Sequence, residues 1–365
     1  MTFSSLLGQF EALGHLPLLV GFAAALLAAW AAARWLGPRG FMDLPKGRHL
    51  HERPTPRTGG LALMAVLGVA QAAGCCTLPL GSAEWAAVAI LALTGAQDDR
   101  HHLPARLKAL GGLAVALLIA WPAAARIASA HLDIHLLGLP IPAEFGWVLL
   151  ALVLLYWSIP HAYNLIDGAD GLALGFALTL TLFLSLAGRP EPFFIGALLG
   201  TLLLNWPRAR HFLGDAGALP LGLILALLVK KEVALRDPNL VLWAFAYLIV
   251  DTSLVTAIRL ATGQPLGKGD RNHLHHQWMD RFPGHRRRVV PGLLAQAALC
   301  ASALVVTGWA WLLPWAGLAL LVGQALVFFG LAVFPRYRKI QRLHLKIAWA
   351  DENSGEFPGR EGSGS

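Results

Sequence analysis

Long apolar runs separated by short polar turns organise this chain from end to end. The runs fall at about 16 to 36, 60 to 80, 83 to 97, 107 to 125, 145 to 162, 171 to 187, 192 to 206, 217 to 230, 239 to 258, 289 to 312 and 315 to 334. A perpendicular membrane helix needs roughly 20 residues, so the pattern predicts an all-α, polytopic membrane protein with about eleven transmembrane helices. Several runs are shorter than that, and two of them are open to a re-entrant or partly buried reading. The first run has no basic stretch before it and no small-residue cleavage site after it, so it reads as a retained helix rather than a signal peptide. Residues 1–334 are expected to form a single polytopic membrane domain. Residues 335–365 are expected to form a cytoplasmic tail, whose Gly/Ser-rich stretch after Ala350 reads as disordered or as an appended non-native segment.

Composition supports the bilayer as solvent, because 56% hydrophobic and 14% charged residues over 365 positions exceed what a soluble core requires. Cys75, Cys76 and Cys300 lie inside apolar runs and read as small buried hydrophobes, not as a disulfide framework. A net charge of +8 would suggest nucleic acid in a soluble protein. Here the basic residues sit in short loops between apolar runs, where they encode orientation, and nucleic-acid binding is not expected. Eleven spans put the termini on opposite sides. One set of loops carries 24 of the 29 Lys and Arg residues, and the other holds only Arg126, Arg189, Lys230, Lys231 and Arg236. Positive loops stay in the cytoplasm, which predicts an external amino terminus and an internal carboxyl terminus. The Lys230, Lys231 pair is a local exception.

With that orientation, the unusual polar side chains share the cytoplasmic side. Ionisable groups near helix ends at membrane depth are costly and line sites or pathways more often than they decorate them. In Gly95-Ala96-Gln97-Asp98-Asp99-Arg100 two adjacent carboxylates leave a helix, and Lys108 opens the next. Adjacent acids suit Mg²⁺, which takes a few carboxylates plus phosphate and water oxygens, or a general base beside a metal. Plain solvation of a helix end is the competing explanation. The segment 164–173, Asn-Leu-Ile-Asp-Gly-Ala-Asp-Gly-Leu-Ala, sets Asp167 and Asp170 three residues apart between glycines that allow close approach of a ligand. A Ca²⁺ loop competes weakly, since its later ligands and closing Glu are missing. In Phe212-Leu213-Gly214-Asp215-Ala216-Gly217 a lone acid precedes a helix whose amino terminus could help hold a phosphate, with a simple helix cap as the alternative.

Arg271-Asn272-His273-Leu274-His275-His276 ends the longest basic loop and concentrates donors suited to a diphosphate. Clustered histidines also suggest zinc, but no cysteine or carboxylate stands at zincin spacing. The basic, Pro- and Gly-stiffened segment 46–60 could by itself anchor to anionic lipid headgroups.

Four of these segments, in this order, resemble the polyprenyl-phosphate N-acetylhexosamine-1-phosphate transferase family over roughly residues 40 to 290. Asp98 and Asp99 with Lys108 are similar to its aspartate-pair motif. Segment 164–173 matches its Asn-x-x-Asp-Gly-x-Asp-Gly-Leu-Ala pattern throughout. Segment 212–217 resembles its Gly-Asp-x-Gly loop, with Ala218 where Ser is common. Arg271-x-His273-x-His275-His276 looks like the branch that uses UDP-N-acetylglucosamine or related UDP-sugars, not the branch carrying a pentapeptide donor. Asp251 and Arg259 resemble the same branch, with Leu248 where a proline is common.

The resemblance implies a membrane enzyme, a glycosyl-1-phosphate transferase of the bacterial inner (cytoplasmic) membrane with its active site on the cytoplasmic face. It would move N-acetylhexosamine 1-phosphate, with N-acetylglucosamine favoured, from a UDP-sugar to undecaprenyl phosphate. The products would be undecaprenyl-diphospho-sugar and UMP, in the first membrane step of a cell-surface glycan such as O-antigen lipopolysaccharide. Another UDP-N-acetylhexosamine or a 6-deoxy sugar stays open as donor, and a homodimer stays open as assembly. Mg²⁺ is the implied cofactor, with Mn²⁺ as substitute. Asp215 is expected to be the principal metal ligand, Asp98 to orient or deprotonate the lipid phosphate, and Asp99 to support the site and the metal, beside Lys108. Asn164 and Asp167 would face metal and phosphates, and Asp170, Asn205 and Phe212 would lie near the uridine. Arg271, His273, His275 and His276 would hold the diphosphate and sugar, in a loop from 267 to 280 that closes over a small donor. Direct attack is preferred, because a phosphate monoester ionised near pH 7 needs little activation, and a two-step route through a covalent aspartyl intermediate stays open. A secondary transporter is the rival class, but these acids cluster at one face and no internal repeat is evident. A non-enzymatic lipid-binding scaffold would leave the 164–173 pattern unexplained.

Overall fold

In a computed structural model of the chain, every one of the eleven apolar runs contains helix. The structure describes residues 15–44, 54–76, 78–130, 134–136, 139–233, 237, 239–265, 271–282, 286–305 and 312–353. Thirteen α-helices lie among them: α1 (His15–Trp35), α2 (Gly59–Ala72), α3 (Ser82–His101), α4 (Ala105–Ala128), α5 (Phe145–Ile166), α6 (Leu172–Leu186), α7 (Pro192–Asn205), α8 (Asp215–Val233), α9 (Asn239–Ala244), α10 (Ala246–Ala261), α11 (Leu274–Arg281), α12 (Arg286–Ala301) and α13 (Leu312–Asn353). Two short antiparallel ribbons complete the described fold, β1 (Met42–Asp43) with β2 (Thr55–Pro56) and β3 (Ile134–Leu136) with β4 (Leu139–Ile141).

Among the described residues four helices are long and apolar enough to cross a bilayer: α1, α4, α5 and the 312–333 part of α13. The other apolar helices are shorter or less uniformly apolar. Outward faces of α1, α4 and α13 expose Leu16, Trp30, Leu118, Trp121, Leu326 and Val327, a surface that hydrocarbon tolerates and water does not.

Helix α8 is the hub. It is apolar on every side, and from Ala218 to Val229 its Leu, Ile, Val and Ala side chains are buried, as a helix surrounded by others requires. It packs against α2, α3, α5, α6 and α9. The α2–α8 crossing is backbone against backbone, since a Cβ on Gly60 would meet the Gly217 Cα at 2.2 Å. Small residues give membrane helices this close approach, and with it the dispersion contact that replaces a hydrophobic driving force.

Two elements differ from the sequence expectation. The run at 239 to 258 is two helices, because Phe245 leaves helical geometry at φ −109°, ψ 15° while staying fully buried. Helix α13 does not stop with its apolar stretch but continues to Asn353, through the start of the expected tail. Residues 336–350 contain neither glycine nor proline and many Arg, Lys, Gln and Leu, all good helix formers, and the helix continues through Pro335 into them. Residues 354–365 of that tail, residues 45–53 of the first basic loop and residues 266–270 of the last one lie outside the described residues.

Candidate active site

The polar ends of α2 through α8, with α11, meet in one place. Helix α3 reaches it by crossing α8 at that helix's first residue, where a Cβ on Gly95 would lie 2.2 Å from the Asp215 carbonyl oxygen. One turn later the aspartate pair divides its work. Asp98 accepts the Leu103 N–H at 2.7 Å on Oδ1, closing the α3–α4 turn, and the Lys108 ammonium at 3.0 Å on Oδ2. The same ammonium donates to Asp215 Oδ2 at 2.8 Å. Lys108 therefore bridges carboxylates from two helices that are far apart in sequence.

Asp99 does something else. Its two oxygens accept the N–H groups of Asp215 and Ala216, each at 3.0 Å, so it caps the amino terminus of α8 from another helix. Gly214, just before, adopts φ +69°, and a Cβ there would sit 2.6 Å from Asp99 Oδ2. Only glycine satisfies both the left-handed backbone and the close carboxylate. Asp99, expected to support the site and the metal, holds the Asp215 backbone.

Asp167 follows the last turn of α5, with half-buried Asn164 one turn before it. Burial pushes the Asp167 carboxyl well above the usual carboxylate range, and the charges of Asp215 and Asp99 push the same way against the Gly214 N–H and Arg57. Asp170 accepts the Ala209 N–H at 3.0 Å. Asn205, expected near the uridine, is 4% exposed with both ends of its amide committed: Oδ1 accepts the Gly171 N–H at 2.8 Å and Nδ2 donates to the His211 carbonyl at 3.0 Å. It braces two loops of the site against each other. Phe212 is half-buried; its N–H donates to the Pro56 carbonyl at 2.8 Å and its carbonyl accepts the Gly59 N–H at 3.0 Å.

Those last bonds bring in residues that sequence reasoning placed at the lipid surface. Arg57 pairs with Asp43 at 2.9 Å, and its charge opposes the negative field at Asp99 and Asp167. The run Arg57-Thr58-Gly59-Gly60 carried a signal in its paired glycines, but only the backbone bonds to Phe212 and Leu213 reveal the destination.

The histidines close the group from the far end of the chain. His275 is fully buried on α11, and a Cβ on Gly168 would meet His275 Nε2 at 2.9 Å and His276 Nε2 at 3.3 Å. Neither ring nitrogen of His275 has a hydrogen-bond partner among the described residues. His273 lies 2.7 Å from Asp251 through Nδ1, and Arg271 forks onto Asp280. Burial holds His275 well below its ordinary value and pushes His276 down to about 4, with Arg271 adding to both. Below its ordinary value of 6.5 an unfolded His276 binds a proton that the folded one refuses until about pH 4. Stability of α11 is therefore expected to be full above pH 6.5 and to decline as pH falls towards 4. Hydrogen exchange of α11 amides, corrected for intrinsic rates, checks this; protection that is flat or rising over that window contradicts it.

Among the described residues no three His, Cys, Asp or Glu side chains converge as a ready-made metal cage. The acidic group nevertheless fits Mg²⁺, which needs one or two carboxylates and completes its shell with phosphate and water oxygens. Asp98 and Asp215 already converge on a single cation, the Lys108 ammonium.

The model of glycosyl transferase family 4 matches residues 83–231, which contain Asp98, Asp99, Asp167, Asp170, Asp215 and Lys108. The chain is 30% identical over 285 residues to a Bacillus subtilis (strain 168) protein named "probable undecaprenyl-phosphate N-acetylglucosaminyl 1-phosphate transferase", covering 73% of this chain and 77% of that one. It is 29% identical over 363 residues to the decaprenyl-phosphate N-acetylglucosaminephosphotransferase of Mycobacterium tuberculosis H37Rv, covering 81% and 88%. With the undecaprenyl-phosphate alpha-N-acetylglucosaminyl 1-phosphate transferase of Escherichia coli K12 it shares 26% identity over 300 residues, covering 75% and 78%.

Proposed function

The chain belongs to glycosyl transferase family 4, and on that premise we propose that it transfers N-acetylglucosamine 1-phosphate from UDP-N-acetylglucosamine to undecaprenyl phosphate. It is a glycosyl-1-phosphate transferase of the polyprenyl-phosphate kind. An oxygen of the lipid phosphate attacks the phosphorus that carries the sugar, the bond from that phosphorus to the bridging oxygen breaks, and UMP leaves with the electron pair. The observation that carries this reading is the Asp98–Lys108–Asp215 bridge, a mixed-charge centre at the ends of three helices, with Asp167 beside it.

Two anions must be brought together, so the residues divide between neutralising and orienting charge. Lys108 supplies a positive charge within reach of the phosphates, and Asp98 orients the lipid phosphate. Asp215, with Asp98, would hold Mg²⁺, which when bound neutralises the diphosphate and the departing UMP. Asp99 keeps Asp215 in register through the α8 amides. Asn164 and Asp167 face the phosphates, Asp170 and Phe212 the nucleoside, and Arg271, His273, His275 and His276 the diphosphate and sugar.

Eleven crossings with the site at the cytoplasmic face, an external amino terminus and an internal carboxyl terminus are part of the same proposal. The asymmetry of 24 against five basic residues supports it, as does the supply of UDP-sugars from the cytosol. The test is release of UMP by the purified protein in the presence of undecaprenyl phosphate and a panel of UDP-sugars. UDP-N-acetylglucosamine is expected to be used, and UDP-MurNAc-pentapeptide to be used at least about 100-fold more slowly, because a loop gripping a small sugar leaves no path for a peptide. Comparable turnover of the pentapeptide donor would overturn the donor assignment. No UMP from any donor would overturn the reaction.

A further inference from the structure

Helix α10 carries a carboxylate that the chemistry described so far does not use. Asp251 is 0% exposed, in the middle of α10 among buried Leu248, Leu254 and Val255. A charge in such surroundings is costly unless it is fully paired. Both of its oxygens are committed: Oδ2 lies 2.7 Å from His273 Nδ1, and Oδ1 accepts the Leu274 N–H at 2.6 Å. One buried group thus fixes both the start of α11 and the ring of the first histidine in the motif. His273 itself is 4% exposed, so the ring has little freedom to turn.

An ionised carboxylate only accepts, so the proton between the two groups sits on His273 Nδ1. A neutral ring held this way presents a bare lone pair at Nε2, which a diphosphate, itself only an acceptor, cannot use. Protonated, the same ring presents an N–H, and Asp251 balances its charge.

We propose that Asp251 is a positioning residue for phosphosugar transfer: it fixes the tautomer of His273 and holds the imidazolium whose Nε2–H donates to a donor diphosphate oxygen. The proposal rests on the function assigned above. On donor binding His273 takes one proton from solvent onto Nε2, and it returns that proton to solvent after UMP leaves. No other bond changes at the ring. The charged and titratable groups around the pair are His275, whose ring stacks on His273 at 5.7 Å, His276 at 6.5 Å, the Arg271–Asp280 pair, and Tyr247 one turn earlier on α10. Among the described residues the hydrogen-bond partner of His273 Nδ1 is Asp251.

The experiment measures UMP release by the full-length enzyme, Asp251→Asn, His273→Gln and the double variant, each across pH 6 to 10. Wild-type turnover is recorded first, and its absence would refute the assigned reaction rather than this role. Asp251→Asn is expected to lower kcat about 10- to 100-fold with a smaller change in KM, since the ring is still present but mispositioned. Its alkaline limb should move to lower pH, because the imidazolium loses its counter-charge. His273→Gln should abolish that limb, and the double variant should be no worse than His273→Gln by more than about three-fold. Losses that multiply, or an alkaline limb unmoved in Asp251→Asn, would overturn the proposal. If Asp251→Asn does not survive purification, Asp251→Glu decides: it keeps the charge and must retain the wild-type limb while His273→Gln loses it, and a shifted limb in Asp251→Glu counts against the assignment.

Discussion

Replacing Asp215 by Asn is expected to lower UMP release by about three orders of magnitude or more, roughly 4 kcal/mol of transition-state stabilisation, in a protein that still folds. The fold should survive because the contacts that seat this residue do not depend on its charge. Asp99 grips the backbone N–H groups of Asp215 and Ala216, and Gly95 packs on the Asp215 carbonyl. An Asn oxygen can still accept from the Lys108 ammonium, which now lies 2.8 Å from Asp215 Oδ2. What is lost is one negative charge where a divalent cation must be held with few protein ligands, and Mg²⁺ depends on each of them. Activity should therefore fall without a matching fall in melting temperature, and excess Mg²⁺ should restore only a small part of it. Excess chelator should silence the wild type in the same way. An Asn variant within ten-fold of wild type, or a wild type fully active in chelator, would remove Asp215 from the metal.

How much of this could be read without coordinates depends on the range of the interaction. The helices were legible because a bilayer demands near-continuous apolar stretches, and the alternation of spans then puts Asp98, Asp167, Asp215 and the histidines on one side. Their division of labour was not legible. Asp98 and Asp99 are adjacent and chemically identical, yet one meets Lys108 while the other caps a helix beginning 116 residues later. That difference follows from where α3 crosses α8, which Gly95 permits but no periodicity announces. Asn205 was placed near the uridine by the family resemblance alone, and its amide bonds to Gly171 and His211 are long-range contacts that no local pattern announces. Arg57 was lost for the opposite reason: a basic loop at a membrane surface has an adequate explanation already. The partnership of Asp251 with His273 joins an apolar helix to a polar loop 22 residues on, and local pattern holds no trace of it. At the carboxyl end, charged helix formers carry α13 to Asn353, into the expected tail.

Replacing Lys108 by Ala should cost activity about 100-fold or more and should also change how the protein responds to Mg²⁺. The ammonium stands between Asp98 and Asp215 at 3.0 and 2.8 Å, with side-chain exposures of 21%, 11% and 20% for the three groups. The negative charge of Asp215 is also felt at Asp99 and Asp167. Removing the cation leaves like charges facing one another in a partly desolvated space, and breaking a network of this kind costs more than losing an exposed pair. Without metal, the variant should melt below the wild type. With Mg²⁺, two outcomes separate. If the metal and the ammonium answer the same carboxylates, the variant gains more melting temperature from Mg²⁺ than the wild type does, because the ion no longer competes with Lys108 for them. Activity should not return with stability, since the ammonium is also needed to neutralise the phosphates as they approach. A variant as stable as wild type in chelator would mean that solvent already screens these carboxylates. An equal Mg²⁺ shift in the two proteins would mean that metal and lysine act at separate places, and that Asp98 and Asp215 do not share a cation.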